Sequence, residues 1–165
     1  MADISNSNLL NTATGILKKN ACIVLVKTEW NAAITGELEN GCLRYFQKEK
    51  VKSLETLIVP GAIEIPFAIK KHWDNAPVKH KPDAYIALGC VIRGGTPHFE
   101  YVCRSVTDGI TQLNLLLPVP TIFGVLTVDN EEQARERLGG KHGHKGEEAA
   151  ITALKMIAFS RNLNK

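Results

Sequence analysis

A chain of 165 residues with 44% hydrophobic and 22% charged residues is the size and composition of one compact soluble domain, able to bury a core without disulfide or metal staples. A net charge of +3, with basic residues scattered, excludes a nucleic-acid-binding arm, because the densest basic stretch, Lys141-His142-Gly143-His144-Lys145, is too short and suits a small anion better. No stretch approaches the roughly 20 apolar residues of a membrane span, so a membrane role is excluded as well.

Residues 1–20 carry no long apolar run and no place in a periodic pattern, which predicts either a frayed end or an arm docking on a neighbouring subunit, ahead of a single domain over 21–165. Strands are expected at Ala21–Val26, at Leu57–Val59 with the residues just before it, at Tyr85–Leu88 and at Thr121–Leu126. All four are nearly continuous in Ile, Val and Leu, the pattern of parallel strands covered on both faces. Helical spacing falls between them: Ile34, Leu38, Cys42, Tyr45 and Phe46; Pro66–Trp73; Phe99, Val102, Val106, Ile110 and Leu113. After the fourth strand, Asp129 reads as a cap with Glu132 three places on, Arg135 and Arg137 fill the last turn, and Gly139-Gly140 ends it. A final helix carries Ile151, Leu154, Ile157 and Ala158 on one face. Such alternation predicts an α/β fold, a three-layer αβα sandwich around a flavodoxin-like, four-stranded parallel sheet with right-handed crossovers.

Ligands of open α/β sheets bind beyond the carboxyl ends of the strands. The first strand leads to Trp30-Asn31, the second to Pro60-Gly61-Ala62-Ile63-Glu64, the third to Gly89-Cys90-Val91-Ile92-Arg93-Gly94-Gly95-Thr96-Pro97-His98, and the fourth runs on towards Arg137. In the third loop, Thr96 suits an N-cap and Pro97 a first helical position, while Gly94-Gly95 lets backbone amides approach an anion. The loop reads equally as an ordinary cap, since it matches neither a Walker loop nor a dinucleotide fingerprint. His98, in the first turn, suits a proton shuttle. Trp30 offers a ring for stacking or merely covers core, and Glu64 within an apolar run needs either a partner or a helix dipole. Arg135 and Arg137 are equally suited to a phosphate by spacing alone. Lys145 opens the last helix, where the dipole disfavours a cation, and so points to a ligand or partner charge. His142 and His144 lie two apart with no third ligand, so no metal is expected. Cys22, Cys42, Cys90 and Cys103 form no C-x-x-C pair and read as buried free thiols of a cytoplasmic protein.

Taken in order, Trp30-Asn31, Val59–Pro66, Gly89–Tyr101, and Phe123-Gly124 through Glu131–Ala134 to Arg137, Gly139 and Lys145-Gly146 resemble the 6,7-dimethyl-8-ribityllumazine synthase family over about Cys22 to Ile157. The resemblance implies a riboflavin-pathway transferase. It would condense 5-amino-6-(D-ribitylamino)uracil with 3,4-dihydroxy-2-butanone 4-phosphate, with no metal or organic cofactor. His98 matches the proton-transfer histidine. Trp30 matches the stacking aromatic, with Asn31 beside it. Ala62, Ile63 and Glu64 match the ribityl and pyrimidine site, and Cys90, Val91 and Ile92 the strand end beside the pyrimidine. Gly95, Thr96 and Arg137 match the phosphate site, which selects Arg137 over Arg135. Phe123 matches a pocket residue given by a neighbouring subunit, and Lys145 a lysine near that pocket. The resemblance further implies a homo-oligomer of pentamers and names riboflavin synthase as a candidate partner. Arg137–Gly146 lacks the insertion of pentamer-only fungal members, which favours twelve pentamers in an icosahedral shell. The alternative from another class is a non-catalytic flavin- or lumazine-binding or cage protein of the same fold.

Overall fold

The computed structural model describes Leu9, Ile16, Leu17 and residues 21–163. The expected arm over 1–20 therefore lies almost wholly outside the described residues. What is described of it rests on the chain's own helices: Ile16 donates its N–H to Glu49, and Lys155 donates to the Leu9 carbonyl.

Four parallel strands, β1 (Cys22–Thr28), β2 (Ser53–Val59), β3 (Ala84–Ile92) and β4 (Thr121–Val128), form a sheet in the order β2-β1-β3-β4. The helices α1 (Ala32–Lys48), α2 (Ile65–Asn75), α3 (His98–Leu116) and α5 (Lys145–Leu163) cover its two faces, as the alternating pattern predicts. Alternate residues of one strand feed opposite cores. Ile23 and Leu25 of β1 pack with Leu38, Phe46 and Leu154 towards α1 and α5. Val24 and Val26 pack with Ile65, Ile69 and Val106 towards α2 and α3. With both faces covered, a strand gains by being apolar at every position, which is why these strands read as continuous runs.

The structure alters three details after β4. Asn130, one residue later than expected, caps the short helix α4 (Glu131–Arg135) by accepting the Gln133 N–H at 2.9 Å. Asp129 is then free to pair with Arg93. Helix α4 ends at Arg135, so Arg137 lies beyond it rather than in its last turn. Gly139-Gly140 belongs to a two-strand antiparallel ribbon, β5 (Leu138–Gly140) and β6 (Gly143–His144), that the sequence patterns did not announce. Strands this short carry no readable period, and only the positive φ of Gly139 and Gly143 marks the turn chemistry.

Candidate functional site

The chain leaves β1 towards β2 on one side and reaches β3 on the other, so the topological switch point falls between the carboxyl ends of β1 and β3. A cleft of about 370 Å³ opens there. Trp30 and Asn31 come to it from the β1 exit, Gly61 to Glu64 from the β2 exit, Cys90, Val91 and Ile92 from β3, and His98 and Val102 from α3. The sequence singled out all of these but Gly61 and Val102. Val102 was read only as core spacing, yet it stands one helical turn beyond His98 on the same face.

The cleft's rim is set by backbone hydrogen bonds. Glu29 and Trp30 donate their N–H groups to the carbonyls of Val59 (2.8 Å) and Pro60 (3.2 Å), and the Thr28 hydroxyl donates to the Trp30 carbonyl at 3.1 Å. These bonds fix the β1 exit to the β2 exit and leave the indole 74% exposed. Asn31 adopts the left-handed conformation (φ 58°, ψ 43°), which a short polar side chain tolerates, and its Nδ2 donates to the Cys90 carbonyl at 2.9 Å. That bond ties the β1 exit to the end of β3 across the switch point. A Cβ at Gly61 would stand 3.0 Å from the Glu64 carboxylate and 3.6 Å from the indole, so only glycine leaves this corner uncrowded.

Two readings of individual residues change. Helix α3 begins at His98, with Pro97 in the cap position and no side-chain cap, so Thr96 does not cap it. Glu64 keeps one of its two readings: it is exposed. It stands at the N-terminus of α2, where the helix dipole favours a carboxylate without further partners. Lys145 is 2% exposed and its Nζ donates to both carboxylate oxygens of Glu148, at 2.7 and 2.8 Å. The charge expected from a ligand or partner is thus supplied one helical turn away in the same chain.

Gly94, Gly95, Thr96 and His98 are exposed. Neither glycine has positive φ, and a Cβ on either would meet no atom within 4 Å. The chain's own fold therefore does not require glycine at these two positions. Arg137 is half-buried, with one guanidinium N–H donated to the Gln133 carbonyl at 2.6 Å. It does not line the cleft. Nor do Phe123 and Lys145, which share a separate hollow of about 450 Å³ with Asn114, Glu148, Thr152 and Met156. Burial pushes the Cys90 thiol up to about 11, with a smaller contribution from the Glu131 charge, and the Cys42 thiol up to about 12. All four cysteines are free. Among the described residues no cluster of three or more His, Cys, Asp or Glu side chains could hold a metal ion, and no helix is long and apolar enough to cross a membrane.

The family model for 6,7-dimethyl-8-ribityllumazine synthase matches residues 20–161. The chain belongs to this family. Proteins named 6,7-dimethyl-8-ribityllumazine synthase from Bacteroides fragilis, Cytophaga hutchinsonii and Bdellovibrio bacteriovorus are 46%, 47% and 45% identical to it over 143, 136 and 139 residues. These matches cover 86%, 81% and 84% of this chain and 97%, 83% and 75% of the relatives. The activity is accordingly the lumazine-forming transferase step of riboflavin biosynthesis.

Proposed function

We propose that the cleft at the switch point binds 5-amino-6-(D-ribitylamino)uracil, with the pyrimidine stacked on Trp30 and its edge along Cys90, Val91 and Ile92. Asn31 holds the turn that presents the indole, and Ala62, Ile63 and Glu64 line the ribityl and pyrimidine side. The observation that carries this reading is the meeting of three strand exits in one hollow that holds an indole, a carboxylate and an imidazole. The butanone phosphate sits beside it, with its phosphate on the open amides of Gly95 and Thr96. Two glycines that the fold does not demand leave room for that approach, and the uncapped N-terminus of α3 favours an anion.

In this reading the free amine of the pyrimidine attacks the ketone carbon, and loss of water gives an imine. Proton transfers at His98 allow elimination of phosphate. Loss of phosphate leaves an enol at the hydroxyl-bearing carbon, which tautomerises to a new carbonyl, and attack of the ribitylamino nitrogen on that carbonyl closes the ring with loss of a second water. Both reactants are intrinsically reactive, so orientation in a shared site supplies much of the acceleration, with proton shuttling added. No metal or organic cofactor takes part in this scheme.

We further propose that Arg137 and Phe123 act from a neighbouring subunit, because neither lines the cleft of its own chain, and that Lys145, held by Glu148 in the hollow it shares with Phe123, supports that surface. The assembly is a pentameric ring, twelve of which form a shell, and riboflavin synthase is the proposed protein partner. The free thiols suit a reducing compartment such as the cytoplasm. The test is lumazine fluorescence with both substrates, run with and without the butanone phosphate. Fluorescence must grow only when both are present. A protein that binds added lumazine but forms none would overturn the catalytic assignment of this cleft.

A further inference from the structure

Arg93 is the cation nearest in sequence to the glycine turn, yet its charge is already spent. Its Nε donates to Asp129 Oδ1 at 2.8 Å and its Nη1 to Glu100 Oε1 at 2.7 Å. The guanidinium also lies over the Phe99 ring, 4.2 Å from the centroid. Two carboxylates around one guanidinium leave no net positive charge for a third anion, so Arg93 is a poor phosphate ligand. Its backbone is anchored too: the Arg93 N–H donates to the Val128 carbonyl at 2.9 Å, extending the β3–β4 ladder by one bond.

What Arg93 joins is more informative. Glu100 is in the first turn of α3, two residues after His98. Asp129 ends the β4 exit and meets Gln133, whose Oε1 accepts the Asp129 N–H at 2.9 Å and whose backbone carbonyl accepts from Arg137 at 2.6 Å. One continuous path thus runs from Glu100 through Arg93, Asp129 and Gln133 to Arg137. Gly94, Gly95 and Thr96 span the gap inside it without packing support for either glycine. We infer that Arg93 is a positioning residue. Bridging Asp129 and Glu100, it holds the Gly94–His98 loop in place for the phosphate site of its own chain and, through Asp129 and Gln133, the Arg137 segment in place for the site of the neighbouring subunit. This inference rests on the phosphate reading of Gly95, Thr96 and Arg137 given above.

The three partners are largely exposed, and exposed ion pairs add little to folding stability. Loss of the brace should therefore appear in substrate handling and leave folding intact. The experiment compares Arg93→Ala, Arg93→Lys and Arg137→Ala for KM of each substrate, for competitive inhibition by inorganic phosphate, and for the thermal midpoint. Arg93→Ala is expected to raise KM for the butanone phosphate and the inhibition constant of phosphate about tenfold, less than the roughly hundredfold that a 1 Å misplacement of reacting groups can cost. KM for the pyrimidine and the thermal midpoint should stay near wild type. Arg93→Lys should rescue only part of the effect, since an ammonium cannot reproduce the planar fork that spans two carboxylates. Equal rises in both KM values together with a lowered midpoint would show mere scaffold damage and overturn the inference. So would an unchanged KM for the phosphate substrate in Arg93→Ala while Arg137→Ala raises it. If Arg137→Ala leaves that KM unchanged, the phosphate reading itself fails and the inference falls with it.

Discussion

Arg93 commits its guanidinium to two carboxylates and Lys145 its ammonium to one, whereas Arg137 gives a single N–H to a backbone carbonyl and so keeps donors for a phosphate. His98 stands exposed at the first position of α3, beside the open glycine turn. These two residues should differ in what their loss costs. Charged hydrogen bonds are worth about 1.5–3 kcal/mol, so Arg137→Ala should lower kcat/KM for the butanone phosphate by roughly a hundredfold, mostly through KM. His98→Ala would remove the proposed proton shuttling from a reaction whose partners are already reactive. It should slow turnover by about tenfold, below the usual range for general acid–base catalysis. Steady-state kinetics with each substrate varied in turn would check both, and the reverse order of severity would refute these roles. No comparable part is proposed for the Cys90 thiol: burial pushes its pKa up, and its carbonyl, not its sulfur, receives Asn31.

Helix α1 approaches α5 closely because Gly146 allows it, and Gly41 of α1 makes room for His144 of β6. A methyl on Gly146 would overlap the carbonyl of Leu38, and one on Gly41 would overlap the ring of His144. The Cys42 thiol fills the seam by donating to the Gly146 carbonyl at 3.1 Å. Gly146→Ala must push backbone from backbone and should destabilise the fold by about 1–3 kcal/mol, read as a lower denaturation midpoint. An unchanged midpoint would mean that the two helices slide apart freely. The main elements were legible in the sequence because strand-length apolar runs and 3.6-residue spacing each have one compact solution. The site's scaffold was legible through the same order, since each strand exit carries its own chemistry to a common edge. The Gly146 contact was legible only as half of a motif, because close helix approach depends on a residue more than a hundred positions away. The Asn130 cap and the β5–β6 ribbon were hidden for another reason. Neighbouring Asp129 and Asn130 are equivalent caps on paper, and in the fold Asn130 caps α4 while Asp129 pairs with Arg93; strands as short as β5 and β6 carry no period to read.

At the scale of the whole molecule, an isolated chain exposes more large apolar surface than a monomer needs. Ile58 is 62%, Phe67 72% and Leu115 83% exposed, on the edge strand and on two helices. Arg137 and Phe123 remain outside the cleft formed by Trp30, Glu64 and His98. The proposed ring, in which each subunit lends one surface to the next, would account for both facts, since a heterologous interface buries two different faces and would complete every site with a neighbour's residues. This arrangement makes a complementation prediction. Chains bearing His98→Ala and chains bearing Arg137→Ala are each impaired in every site when assembled alone. Co-assembled in equal amounts, about a quarter of the sites combine an intact His98 from one chain with an intact Arg137 from the next. Activity of the co-assembled sample should then exceed the mean of the two parents, while mixing the preformed assemblies without exchange should not. Light scattering on the same samples fixes the size of the particle and confirms that the variants still assemble. If co-assembly gives only the mean of the parents, His98 and Arg137 serve the same chain's site, and the ring is not what completes it.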